Sequence, residues 1–339
     1  MAGKPHSPTV GVTGASGHIG NVICRQLLEK GYRVKALYRT DRRSLADLEG
    51  KSEIKLIQGD VLNPDDLAGF VGDCDVIINS AAYITIAGDP TGMVHKTNTQ
   101  GPENLVKACR TAGALKKIIH ISSTHAVMEI PHNTPFDETR PYKQKGAFAY
   151  DYSKACGEQV IMDAIRSKFI EGCILRPSSV IGPFDFKPSE MGKAFLNFYN
   201  QTVPILPPGG YNFVDVRDVA GTIINAMDKG ANGEIYLLSG RYHTIRELSR
   251  VIHKVTGRRV PSMAMPFWLM YILLPLVKLH GRIMKAAPVF THEAIYALKH
   301  GHPGMVNRKA AEALGHTCRP LEDSVRDFYE WNRTNKIIQ

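Results

Sequence analysis

Val10-Gly11-Val12-Thr13-Gly14-Ala15-Ser16-Gly17-His18-Ile19-Gly20 runs from a short apolar strand, through three glycines spaced three apart, into the helical pattern Asn21 to Glu29. Each glycine answers a physical need. Gly14 lets the chain leave the strand in a tight turn, Gly17 lets backbone come close to a pyrophosphate, and Gly20 lets the new helix pack against the strand. The helix N-terminus supplies free N–H groups and a partial positive charge for an anion. A glycine triplet alone is weak evidence. Its weight comes from the strand before it and from the apolar face Ile19, Val22, Ile23, Leu27 and Leu28 after it. Gly14, Ala15, Ser16, Gly17, His18, Ile19 and Gly20 are therefore expected to cradle the phosphates of a dinucleotide.

Working outward, Tyr32 to Arg39 reads as a second strand whose end should lie beside the adenosine ribose. A carboxylate there would bond the ribose hydroxyls of NAD, whereas an arginine can pair with the extra phosphate of NADP. Arg39, with Arg42 and Arg43 behind it, favours NADP; Asp41 keeps NAD open. Leu56 to Val61 reads as a third strand ending in Asp60, placed to meet an adenine amino group. The fourth, Asp75 to Ala82, ends in the small residues Ser80, Ala81 and Ala82, which let a cofactor pass close to the backbone.

Tyr150 and Lys154 stand four apart at the start of an apparent helix, so both side chains share one face. A free phenol near pKa 10 holds its proton too tightly to shuttle it at neutral pH, and a neighbouring ammonium favours the phenolate. Ile118 to Thr124 is a buried fifth strand ending in the hydroxyl residues Ser122, Ser123 and Thr124, where a parallel sheet presents ligands at the carboxyl ends of its strands. One of those hydroxyls can hold a substrate oxygen next to the tyrosine.

Thr13-Gly14-x-x-Gly17-x-x-Gly20, Asp60-Val61, Asn79-Ser80-Ala81-Ala82, Ser122-Ser123-Thr124, Tyr150-x-x-x-Lys154 and Leu175-Arg176-Pro177-Ser178-Ser179-Val180-Ile181-Gly182-Pro183 together resemble an extended short-chain dehydrogenase/reductase of the NAD-dependent epimerase/dehydratase family. The pattern is most similar to dihydroflavonol-4-reductase-like and 3-beta-hydroxysteroid-dehydrogenase-like members. Asn98, in Thr97-Asn98-Thr99-Gln100-Gly101, matches the asparagine that these enzymes place in a helix beneath the active site. The match follows the family's order to about Gly240.

The resemblance implies an α/β fold: a Rossmann doubly wound parallel sheet with helices on both faces, over 8–180 with returning segments at about 211–240. A smaller C-terminal substrate-binding cap would use 181–210 and 241–339. It makes Tyr150 the general acid/base and Lys154 the residue that lowers its pKa and holds the nicotinamide ribose. Thr124 would orient the substrate oxygen, with Ser123 as its alternate. Cofactor contacts are implied at 14–20, Arg39, Asp60, Val61, Ser80, Ala81, Ala82, Ser122, Pro177 and Ser179. The usual dimer surfaces of such a fold would be the Ala108 to Gly113 and Tyr150 to Arg166 helices.

The expected chemistry is reversible hydride transfer between NADP(H) and a ketone, aldehyde or secondary alcohol, on an apolar small-molecule substrate. Sugar-nucleotide epimerases tend to carry an aromatic and an asparagine after the sixth-strand arginine, and this chain has Arg176-Pro177-Ser178-Ser179. A dehydratase would want an acid beside the catalytic hydroxyl, and Thr124 is followed by His125 and Ala126. A nucleotide-sugar epimerase or dehydratase with tightly bound NAD is the alternative, and a non-catalytic cofactor-binding protein the second.

Composition sets the remaining bounds. With 339 residues, 43% hydrophobic and 22% charged, the chain can bury a full core. Six scattered cysteines without metal-ligand spacing read as reduced core thiols, and the short polar start reads as carrying no signal peptide, so a cytoplasmic location is expected. The net charge of +10 is concentrated: from Arg241 to Ala310 the chain holds 12 Lys or Arg against Glu247 and Glu293. That segment also contains the most apolar run, Met263 to Val277, too short and too proline-broken to span a bilayer. It can pack within the cap, line an apolar pocket, or, flanked by Lys278, Arg282 and Lys285, rest on anionic lipid through 263–285. Nucleic-acid binding is excluded, since no interleaved aromatic and basic pattern accompanies the charge.

Overall fold

A computed structural model describes residues 8–112, 117–261, 263–284 and 291–339, the stretch 278–284 by its backbone alone. Seven strands form one parallel sheet: β1 (Thr9–Thr13), β2 (Arg33–Tyr38), β3 (Ile54–Gln58), β4 (Val76–Asn79), β5 (Lys117–Ile121), β6 (Glu171–Pro177) and, beyond β7 (Ser179–Ile181) and β8 (Gly210–Asp215), β9 (Ile235–Leu238). Their order is β3-β2-β1-β4-β5-β6-β9, the doubly wound arrangement with its switch between β1 and β4. Consecutive residues feed opposite layers. Ile78 and Ile119 pack with the His18–Glu29 and Val216–Lys229 helices, while their neighbours Ile77 and Ile118 pack with the Pro64–Val71, Gly101–Thr111 and Ala149–Arg166 helices. Both faces are therefore apolar and covered.

The chain returns to this sheet at one place and not at two. Ile235-Tyr236-Leu237-Leu238 supplies the uninterrupted apolar run needed by a strand covered on both faces, and it pairs with β6. β8 was expected nearby in the same sheet. It carries the more mixed Tyr211-Asn212-Phe213 and instead joins β7 in parallel and β10 (Arg241–Thr244) in antiparallel, as the centre of a three-stranded second sheet. The helix after β8 does come back to cover the main sheet through Val219 and Ile223.

A second core, built on Phe195, Phe213, Leu248, Ile252, Phe328 and Tyr329, holds the C-terminal helices against the small sheet. The apolar run expected after Met263 forms the helix Phe267–Met284, with Pro275 inside it. Its inner face buries Met270 and Leu274 against Ile295, and its outer face exposes Trp268, Ile272 and Leu276. No described helix is long and apolar enough to cross a membrane. The side chains of Lys278 and Arg282, as well as Lys285 and Gly113, lie outside the described residues. All six cysteines are free thiols.

Candidate active site

Gly14 has φ of +64°, and a Cβ there would stand 2.7 Å from the Cα and N of Ala81; a Cβ on Gly20 would stand 2.2 Å from the Gly14 carbonyl oxygen. The turn after β1, the helix after it and the loop after β4 thus meet backbone to backbone, with no room for side chains. The turn is pinned by Ala15 N–H donating to the Leu37 carbonyl at 3.0 Å and Gly17 N–H to the Gly14 carbonyl at 2.9 Å.

Gly17 starts the His18–Glu29 helix without any side-chain cap. Asn63, Ser189, Asp215, Thr244 and Thr291 each cap a helix start of their own. The first-turn N–H groups of His18, Ile19 and Gly20, which by position lack an intrahelical partner, fit the pyrophosphate of a dinucleotide. The His18 ring turns away from this task, with Nε2 3.0 Å from the Pro183 carbonyl.

The other cofactor-side residues lie along the same carboxyl edge. Thr13 donates to Asn79 at 2.7 Å and accepts from Ala81 N–H at 3.2 Å, fixing where Ser80, Ala81 and Ala82 leave β4. Arg39 is exposed just past β2. Among the described residues it makes no ion pair, whereas Arg42 is held by Glu49 and Arg43 by Asp41. Asp60, past β3, spends one oxygen on Leu62 N–H at 2.9 Å, and the buried Val61 accepts from Asn104 through its carbonyl. Pro177 ends β6 and Ser179 opens β7. The buried Ser122 Oγ has no protein partner among the described residues, which leaves it for a ligand.

The catalytic set comes from the end of β5 and the first turns of the Ala149–Arg166 helix. The Ser123 hydroxyl lies against the Tyr150 phenol and favours its ionised form. Ser123 Oγ also accepts from His125 N–H at 3.1 Å, which locks its rotamer. No Thr124 bond to Tyr150 occurs among the described residues, so Ser123 is the hydroxyl already at the phenol. Thr124 is buried and opens the short turn Thr124–Ala126. Lys154 is buried and donates from Nζ to the Ile121 carbonyl at 2.8 Å.

Burial pushes the Tyr150 phenol up to about 12; the Ser123 hydroxyl favours the phenolate, and the adjacent Asp151 carboxylate opposes it. Burial lowers the pKa of Lys154 to about 8, so its ammonium, which donates to the Ile121 carbonyl, gives up its proton before the phenol does.

Asn98 stands below this set and does not touch the phenol. It sits in a one-turn π stretch, Lys96–Gln100, of the kind that re-aims side chains at functional positions. Its amide accepts from Tyr83 N–H at 2.7 Å, and donates to the Tyr83 carbonyl at 3.0 Å and to Ser153 Oγ at 2.9 Å. Asn98 therefore couples the loop after β4 to the helix of Tyr150 and Lys154, as a positioning residue.

Residues that sequence reasoning did not assign complete the site. Glu158, one turn beyond Lys154, forms a fully buried multidentate pair with Arg176 at 2.6 to 3.2 Å and accepts from the Tyr142 hydroxyl at 2.9 Å. It ties the catalytic helix to β6. Beside Tyr150, Asp151 binds His125, and Lys143 pairs with both Glu129 and Asp151. The available signal was adjacency alone, Asp151 to Tyr150 and His125 to Thr124.

This geometry is that of a Tyr/Lys nicotinamide site on a doubly wound sheet, and comparison with known proteins agrees. Residues 10–239 match the model of the NAD dependent epimerase/dehydratase family, and the chain belongs to that family. It is 29% identical over 330 residues to sterol demethylase protein B of Methylococcus capsulatus, covering 96% of this chain and 99% of that one. It is 31% identical over 197 residues to the mouse (Mus musculus) 3 beta-hydroxysteroid dehydrogenase type 7, covering 54% and 53%. The crystal structure of gox2253 superposes with a TM-score of 0.83 at 29% identity, over 98% of this chain and 100% of that one. The protein is an oxidoreductase of this nicotinamide-dependent family.

Proposed function

We propose that the protein transfers a hydride between NADP(H) and a secondary alcohol or ketone on a largely apolar substrate. The observation that carries this reading is the buried Tyr150 phenol with the Ser123 hydroxyl against it, one helical turn from Lys154 and on the same sheet edge as the uncapped helix start at Gly17. When bound, the nicotinamide supplies or accepts the hydride. The chain's own residues do the rest. Ser123 and Thr124 hold the substrate oxygen, and Tyr150 gives that oxygen its proton during reduction, or takes it during oxidation. Lys154 spends one of its three donors on Ile121 and keeps the others for the ribose hydroxyls.

An apolar substrate is supported by the surroundings. Tyr83 and Ile84 are exposed in the loop after β4, and Phe148, which starts the catalytic helix, packs its ring 5.2 Å from that of Tyr296 in the cap. NADP over NAD is supported by Arg39, the arginine of its loop left without a carboxylate partner among the described residues.

The test is a panel of secondary alcohols and ketones followed by nicotinamide absorbance, with Arg39→Asp assayed beside the native chain. Turnover with NADP is expected, together with a weakening of NADP by about tenfold or more in Arg39→Asp, the equivalent of one charge-assisted pair. Demonstrable cofactor binding with no oxidoreduction across the panel contradicts the reading. An unchanged NADP constant removes Arg39 from it.

A further inference from the structure

Large apolar side chains left facing water are unevenly distributed over the molecule. Met263, Trp268, Ile272 and Leu276 are 62% to 70% exposed, the four highest values for such side chains among the described residues, and all four fall in one short stretch. Trp268, Ile272 and Leu276 stand four apart, so they form one stripe along the outer face of the Phe267–Met284 helix, with the exposed Pro275 beside it. Single exposed apolar side chains are ordinary, whereas a continuous stripe marks a surface that is covered in use. The inner face is already engaged, since Met270 and Leu274 pack on Ile295 with Met265, Phe267 and Tyr271 around them. Rolling the helix would only exchange one exposed apolar face for the other.

Charge along this stretch has one sign. From Gly257 to His292 the sequence holds no Asp or Glu, and it carries Arg258, Arg259, Lys278, Arg282 and Lys285. Arg259, four positions before Met263, is exposed and in no ion pair among the described residues, as is Lys299 at the end of the His292–Lys299 helix that brings Ile295 to the inner face. The acids at either border are used elsewhere: Glu247 closes the capping box of the Ile245–Thr256 helix, and Glu293 meets the Gly88 N–H. An apolar stripe headed by a tryptophan and accompanied by cations without carboxylates suits an anionic lipid surface. A second copy seated on the stripe by two-fold symmetry would instead bring the cationic stretch against itself. With eighteen residues, a proline inside and one face held by Ile295, the helix can lie on a bilayer and is not built to cross one.

The stripe also lies close to the active site. Tyr271, on the same helix, has its ring 5.6 Å from that of His292, which stands 5.7 Å from the ring of Phe148, the residue that starts the catalytic helix two places before Tyr150. We propose that the outer face of the Phe267–Met284 helix is a docking surface for an anionic bilayer. Trp268, Ile272 and Leu276 sink to the boundary between headgroups and acyl chains, and the basic residues of the stretch pair with lipid phosphates. Docking in this way sets the Phe148 side of the active site beside the lipid, from which an apolar substrate can be drawn. That consequence rests on the oxidoreductase reading above; the docking does not.

The test is flotation of the full chain with vesicles of phosphatidylglycerol and phosphatidylcholine and, in parallel, of phosphatidylcholine alone. The native protein is expected to partition onto the anionic vesicles about tenfold or more above the neutral ones, and less so as salt is raised. A variant combining Trp268→Ser, Ile272→Ser and Leu276→Ser should lose about tenfold or more of that partition, with thermal unfolding like that of the native chain because the three side chains are exposed. Insertion is read separately. The chain has two tryptophans, so in Trp331→Phe the emission of Trp268 should shift to the blue on anionic vesicles and be quenched by lipids brominated in their acyl chains. Absence of binding to anionic vesicles, equal binding to neutral ones, binding kept in the triple variant, or an unquenched Trp268 in the bound protein each overturns the proposal. A dimer in sedimentation that the triple variant abolishes, together with indifference to vesicles, overturns it in favour of a contact between copies. None of these readouts uses turnover, so failure of the docking leaves the oxidoreductase reading intact, and failure of that reading leaves the docking to be judged on its own.

Discussion

The two sides of the site are made from different materials. On the cofactor side, recognition is a matter of backbone: Gly14 and Gly20 are glycine because a Cβ would strike Ala81 or the Gly14 carbonyl, and the helix start at Gly17 is left uncapped. On the substrate side it is a matter of side chains drawn from distant parts of the chain, with Ser123 and Thr124 from the turn after β5 and Tyr150 from the Ala149–Arg166 helix. A dinucleotide's phosphates ask for the same N–H groups in any such enzyme. A substrate asks for a particular pattern of hydroxyls and charges.

The largest expected effect lies on the side-chain half. Glu158→Ala strands the Arg176 guanidinium, 1% exposed, without its carboxylate, and should lower stability by about 3–5 kcal/mol in denaturant unfolding, since breaking one member of a buried pair leaves an uncompensated charge. A loss below about 1 kcal/mol would mean that the pair does not brace the catalytic helix against β6. On the backbone half, Gly20→Ala forces its methyl onto the Gly14 carbonyl and should destabilise by about 1–3 kcal/mol, while weakening cofactor binding more than tenfold. Unimpaired binding in a folded Gly20→Ala protein would remove the reason for the glycine.

A smaller effect distinguishes the halves by pH. Burial holds the Lys154 pKa at about 8, below the ordinary 10.5, so the folded state loses this proton before the unfolded state does. Stability rises with pH wherever the unfolded state binds more protons. The destabilising share of Lys154 is therefore complete below about pH 8 and fades between 8 and 10.5. The unfolding free energy of the native chain should gain on that of Lys154→Met across this window. A difference that does not vary with pH would show that Lys154 titrates as in water.

The same contrast explains what could be read from the chain. The strands β1 to β6, the helix from His18 and the order of the sheet are all visible in apolar runs and in glycine spacing, because local sterics and two-sided burial dictate them. The place of β8 was not visible, since an alternating strand can join either sheet and only the competition of β9 for the edge of β6 decides. Tyr150, Lys154 and Ser123 could be named, but not which hydroxyl meets the phenol, nor that Lys154 points into the Ile121 carbonyl. The Glu158–Arg176 pair and the His125–Asp151 pair bridge 18 and 26 positions, and nothing at either end announces the other.

The account stands on Tyr150 moving a proton at a site whose cofactor cradle is built independently of it. The most direct measurement is therefore kcat and the cofactor dissociation constant of Tyr150→Phe, taken together on one preparation. The account predicts a loss of about 10²–10⁴-fold in kcat, the range of general acid–base catalysis, with cofactor affinity within about threefold of native. Turnover close to native would contradict it.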